Sequence, residues 1–125
     1  MTTTITVCDT CKLDGWDPAA VGATDGEALA DLVEAAARGL EAVAVRRHSC
    51  LMGCSGACNV ALQGTDKMSY TLGGFEPTAE AAEGIVAYAE LHAGQASGVV
   101  PYRQWPQAVK GHFVTRHPPL PFAAE

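Results

Sequence analysis

Five cysteines in two tight groups constrain this chain more than any other feature: Cys8-x2-Cys11 near the start and Cys50-x3-Cys54-x3-Cys58 in the middle. An odd count leaves one thiol over from any set of disulfides. Spacings of two and three residues let each loop present a pair of thiolates to a metal ion or to one iron of a cluster. Thiolates are soft donors that select iron-sulfur clusters, zinc or copper over hard cations. Gly53 and Gly56 lie beside the second group. They are either plain turn residues or positions where the backbone curls around inorganic sulfide and aims N–H groups at it.

The surrounding pattern predicts how the two groups meet. Thr3 to Val7 is rich in β-branched residues and runs straight into Cys8, as a strand ending in a ligand-bearing loop. From Cys11 to Ala23, Gly15, Pro18 and Gly22 break any periodicity, so this stretch reads as a loop long enough to wrap a site. Thr24-Asp-Gly-Glu27 is a capping box, and Leu29, Leu32, Val33, Ala36 and Leu40 form one helical stripe that Gly39 ends. Glu41 to Arg47 alternates as a second strand leading through His48 to Cys50. Strand, helix, strand is a parallel crossover, and its right-handed connection puts both strand C-termini at one sheet edge. The topology therefore brings Cys8 and Cys50 together.

Asn59 to Gln63 and Lys67 to Leu72, joined by Gly64-Thr65-Asp66, form a hairpin. Pro77 and Thr78 open a second helix carrying Ile85, Val86, Ala89 and Leu91, with Gly94 as its stop. Beyond Gly98, five prolines alternate with Tyr102, Trp105, Phe113 and Phe122, a C-terminal arm in which Gln107 to Thr115 is expected to form a short helix before an extended tail. The expected organisation is one α/β domain over residues 1–97, with about four strands in a mixed sheet and two main helices. The arm, 98–125, packs on that domain or on a partner.

Composition narrows the function. The 125 residues are 48% hydrophobic, enough to bury a core without disulfide staples. Acidic residues outnumber basic ones 14 to 8, a balance that repels nucleic acid. No apolar stretch approaches the roughly 20 residues needed to span a bilayer. MTTTITVCDT lacks the basic region and apolar run of a secretory signal, so a cytoplasmic protein is expected, where disulfide frameworks are rare.

C-x2-C, a long spacer, C-L-M-G-C, then N-V-A-L-Q-G, Y-T-L-G-G-F-E-P and a final helix resemble the thioredoxin-like [2Fe-2S] ferredoxins over about residues 3 to 95. The chain is similar also to an uncharacterised bacterial family of predicted metal-binding proteins that shares both cysteine patterns and the proline-rich ending. The resemblance implies a thioredoxin-like fold and a [2Fe-2S] cluster with one iron on Cys8 and Cys11 and the other on Cys50 and Cys54. It also implies one-electron transfer to a redox partner protein, without enzymatic turnover, and admits a homodimer. Two departures stand out: the first pair is closer together than in typical ferredoxins, and Cys58 is extra. Cys58 competes as fourth ligand, although its place at the start of the third strand suits a small buried hydrophobe.

Zinc held by the same cysteines, in a structural or metal-delivery role, is the main alternative. Thiol-disulfide exchange at Cys8 and Cys11 is a third reading. It is disfavoured because such a thiol needs a helix N-terminus beside it and the helix begins only near Thr24. His48 and His92 are weaker ligand candidates, four or five cysteines already sufficing. Arg46 and Arg47 are candidates to offset cluster charge, at most one of them facing it. Asp9, Asp14 and Asp17 suggest either solvated loop carboxylates or an acidic docking rim.

Overall fold

The computed structural model describes residues 2–9, 24–49 and 58–119. Among the described residues five strands and two α-helices succeed one another: β1 (Thr3–Cys8), α1 (Asp25–Ala37), β2 (Val43–His48), β3 (Val60–Gln63), β4 (Ser69–Leu72), α2 (Ala79–Ala93) and β5 (Phe113–His117). They build one sheet in the order β2-β1-β3-β4-β5. Only β1 and β2 are parallel; every other neighbouring pair is antiparallel.

Local chemistry sets the helix ends. The Thr24 hydroxyl accepts from the Glu27 amide at 3.1 Å, as the capping box requires. The Glu27 carboxylate does not reach back to the Thr24 amide; it lies 3.4 Å from the hydroxyl instead. Gly39, at φ 85°, ends α1 in the left-handed conformation that glycine adopts without steric cost. Thr78 caps α2 through the Ala81 amide, and Gly94 closes it.

Both helices pack on β1 and β2 and on each other, so they cover a single face of the sheet. Leu29, Ala30 and Val33 of α1 and Ile85, Val86 and Ala89 of α2 bury against Ile5, Val7, Val60, Leu62 and Leu72. Burial of this kind, about 25 cal/mol per Å² of apolar surface, is the main favourable term holding the layers together.

The arm departs from expectation. The helix predicted over Gln107 to Thr115 is only a three-residue 3₁₀ turn, Gln107–Val109, preceded by another at Tyr102–Gln104. Gly111, at φ 85°, breaks the continuation, and β-branched Val114 and Thr115 enter a fifth strand along β4. Unpaired β4 backbone groups supply a partner that local propensity does not reveal. Trp105 stacks on Phe113 at 4.4 Å, and Tyr88 of α2 meets both edge-on. The Tyr88 hydroxyl is buried without a hydrogen-bond partner among the described residues, and burial pushes its pKa up. The last residues, 120–125, with Pro121 and Phe122, lie outside the described part.

A polar clamp closes the end of the sheet where β1 begins. Lys67 is 1% exposed, and its ammonium donates to the carbonyls of His92 (2.9 Å), Ala93 (2.8 Å) and Gln95, satisfying the C-terminus of α2. Burial lowers the Lys67 pKa from its ordinary value. His92, fully buried, donates from Nε2 to the Met68 carbonyl at 2.7 Å, and its Nδ1 lies 2.7 Å from the Thr3 hydroxyl. Burial favours the neutral ring, in which Nδ1 accepts from that hydroxyl.

Two outcomes are expected. Lys67→Met removes the ammonium from three carbonyls, of which those of His92 and Gln95 keep a backbone N–H donor, and urea denaturation will show a loss of roughly 2 kcal/mol. His92 has its pKa lowered from 6.5 by burial and by the Lys67 charge. Above pH 6.5 its contribution is fully present; as pH falls below that value the unfolded chain takes up a proton the folded one refuses. Stability measured from pH 7 to 5.5 will therefore fall, and His92→Gln will flatten that slope.

Candidate metal centre

The C-terminal end of β1 is the structural centre of the cysteine chemistry. Cys8 is the last residue of β1 and the Cα partner of His48, the last residue of β2. On the other side, β1 pairs with the start of β3. Two hydrogen bonds carry the pairing to the rim: the Cys8 amide donates to the Asn59 carbonyl at 3.0 Å, and the Asp9 amide to the His48 carbonyl at 3.2 Å. Three chain segments thus meet at one edge. They are the exit of β1 at Cys8, the exit of β2 two residues before Cys50, and the entry to β3 at Cys58, four residues after Cys54.

Cys11, Cys50 and Cys54 lie outside the described residues, as do Gly53, Gly56, Asp14, Asp17 and the loop to Ala23. Cys8 and Cys58 are described, and both are buried, at 2% and 0% exposure. Strand alternation puts Cys8 in line with Thr4 and Thr6 along β1, Cys58 lies two residues before β3, and both side chains belong to the same buried core cluster. Among the described residues no group of three His, Cys, Asp or Glu side chains is arranged to hold a metal ion.

The helix that is distant in sequence is adjacent in space. The Thr24 hydroxyl, while capping α1, donates to the Asp9 carbonyl. Gly26, in the first turn, approaches so closely that a Cβ there would lie 2.1 Å from the Cys8 carbonyl oxygen. α1 therefore begins beside the first cysteine, against the expectation that it starts too far away to influence that thiol. The chain from Cys8 to Thr24 returns to its starting point, and the partially positive N-terminal turn of α1 lies against the Cys8–Asp9 backbone. Asp9 Oδ1 is buried there with no hydrogen-bond partner among the described residues.

The remaining candidates separate cleanly. His48 is exposed at the rim beside Cys8. His92 bonds Thr3, five residues before Cys8 along β1, which is about 17 Å at 3.3–3.4 Å per residue. It belongs to the clamp, not to the rim. Arg47 turns towards α1 and is bound by Asp31 (2.6 Å) and Glu34 (2.6 Å), which lowers the Glu34 pKa and raises that of Arg47. Arg46 turns the opposite way, its Nε donating to Thr6 Oγ1 at 2.7 Å.

Of the thiolates that could serve a metal centre at this rim, the described residues show Cys8, a buried soft donor with the N-terminal turn of α1 beside it. Such a β-α-β core with an antiparallel hairpin and second helix defines a thioredoxin-like α/β protein with a cysteine-bearing rim. The chain belongs to the family described as a protein of unknown function (DUF1636), whose model matches residues 5–119. A thioredoxin-like [2Fe-2S] ferredoxin from Aquifex aeolicus superposes with a TM-score of 0.55 at 12% identity, covering 97% of this chain and 98% of that one. At that identity the likeness establishes the fold. No curated protein matches the sequence. Among the described residues no helix is long and apolar enough to cross a membrane.

Gly26→Ala tests how tightly α1 is set against the rim. The added methyl meets backbone, which cannot swing aside, so a loss on the order of 3 kcal/mol is expected by thermal or urea denaturation.

Proposed function

We propose that this protein is an electron carrier holding one [2Fe-2S] cluster on Cys8, Cys11, Cys50 and Cys54. The observation that carries this reading is the shared rim: Cys8 ends the central strand where the segment containing Cys50 and Cys54 leaves β2 and returns to β3. Four thiolates on two such segments match the donor demand of a diiron unit. Cys58 is set aside for its place, fully buried at the entry to β3, which suits a small packed side chain. The superposition on the Aquifex ferredoxin, whose cluster is stated in its description, supports the choice of an iron-sulfur cluster over zinc.

When bound, the cluster supplies reversible one-electron chemistry. The chain's own contributions are positional and electrostatic. Backbone bonds from Cys8 and Asp9 fix the first ligand segment against two strands, and the N-terminal turn of α1 adds partial positive charge near the thiolates. Burial of Cys8 keeps water from the sulfur. In this reading residues 1–97 are the cluster-bearing unit and 98–125 an arm that supports it. The protein is cytoplasmic, serves a redox partner protein rather than a substrate, and pairs as a homodimer. Zinc on the same thiolates is the competing reading, favoured by no specific observation.

Anaerobic purification decides between them. The expected product is red-brown, with visible charge-transfer absorption and about two iron and two sulfide per chain. Serine at Cys8, Cys11, Cys50 or Cys54 will abolish or severely reduce cluster content, whereas Cys58→Ser will retain it. Colourless protein carrying zinc refutes the electron-carrier reading; loss of cluster in Cys58→Ser with retention in Cys54→Ser refutes the ligand assignment.

A further inference from the structure

Charge is segregated between the two layers of this fold. α1 carries Asp25, Glu27, Asp31 and Glu34, α2 carries Glu80, Glu83 and Glu90, and neither helix contains a lysine or arginine. The five strands contain no carboxylate at all. In a chain with net charge −6, the sheet face turned away from the helices is thus free of acidic strand side chains. Strand parity and register place Thr4, Ala44, Arg46, Ala61, Gln63 and Thr71 on it, all exposed or half-buried.

Arg46 is the charged centre of this face. Its Nε donates to Thr6 Oγ1 at 2.7 Å and Nη2 lies 3.4 Å from Gln63 Oε1, so two neutral side chains orient the guanidinium without neutralising it. Among the described residues no carboxylate comes within ion-pair distance of Arg46, whereas the adjacent Arg47 is committed to Asp31 and Glu34. Beside Arg46 a recess of about 330 Å³ is lined by Thr4, Gln63, Gly64 and Thr65. An oriented, unneutralised guanidinium with neutral polar walls is the arrangement that receives a carboxylate in a two-pronged contact.

We propose that this open sheet face, centred on Arg46, docks an acidic segment of a partner protein. A carboxylate of the partner enters the recess and pairs with Arg46, while the small side chains of Thr4, Ala44, Ala61 and Thr71 permit close approach of the backbone around it. The acidic helix layer faces the opposite way and so does not repel such a partner at short range. A second copy applied face to face sets Arg46 against Arg46 and is disfavoured by the same charges. The proposal concerns the strands alone and stands whichever metal the thiolates hold.

The probe is a deca-glutamate peptide titrated into ¹⁵N-labelled full-length protein at low ionic strength. Amide shifts are expected at Thr4, Arg46, Ala61 and Gln63, and they will fade as salt shortens the screening length to a few ångströms. Arg46→Glu will weaken binding at least tenfold and Arg46→Gln by a smaller factor. Arg38→Glu, an equal charge change at an exposed site after α1, will leave it nearly unchanged; amide spectra of the free variants report their folding. Shifts centred elsewhere, or Arg46 variants that bind as tightly as the parent, overturn the proposal. So do sheet-face resonances that move with protein concentration alone, which would assign the face to a second copy.

Discussion

Everything at the cysteine rim depends on how far the pairing of β1 extends. The central strand is hydrogen-bonded on both sides, parallel to β2 and antiparallel to β3, and the Cys8 and Asp9 amides are the last to be satisfied in this way. Each such bond contributes only about 1 kcal/mol net. Their importance is geometric. They hold the first thiol at the point where two neighbouring strands release and recapture the segment carrying the other cysteines, so the loops need only span a common edge.

Much of this architecture is legible in the sequence, and the reasons are local. Thr24 with Glu27, Gly39, Thr78 and Gly94 each mark a helix end through chemistry confined to a few residues, and β-branched runs followed by turn residues mark the strands. The order strand, helix, strand, strand, strand, helix follows from those signals, and the parallel crossover then brings the first two strand exits together. What escaped detection is non-local. Phe113–His117 has no strong strand signal of its own and becomes a strand because β4 offers an unsatisfied edge. Lys67 reads as the first residue of the second hairpin strand, yet that strand begins only at Ser69, and Lys67 is buried because three carbonyls at the end of a distant helix receive it. The closeness of Thr24 to Asp9 is equally hidden, since a separation of fifteen positions says nothing about where the chain returns.

The two ends of the sheet carry different kinds of polar group, and each kind suits its place. At the end where β1 begins, Lys67, His92 and Thr3 are saturated by fixed partners, so they hold structure together. At the end where β1 stops, Asp9 retains a buried oxygen with no partner among the described residues, and the cysteine loops begin. The cysteine groups stand out in the sequence because thiol spacing is a local pattern. The helix turn beside Cys8 does not, because it is brought there from residues fifteen positions further along the chain.

The C-terminal strand has one more consequence. By lying along β4 it becomes the outer margin of the sheet, and the pairing there is irregular between Thr71 and Leu72. Pro118 and Pro119 follow immediately, depriving the next positions of N–H donors. At the far margin, β2 ends in Arg46, Arg47 and His48. Irregular pairing, prolines and clustered cationic or imidazole side chains are the usual devices that prevent sheets from joining margin to margin into fibres. A molecule that leaves Thr4, Ala44, Ala61 and Thr71 of its sheet exposed or half-buried is in this way guarded against runaway polymerisation through its borders.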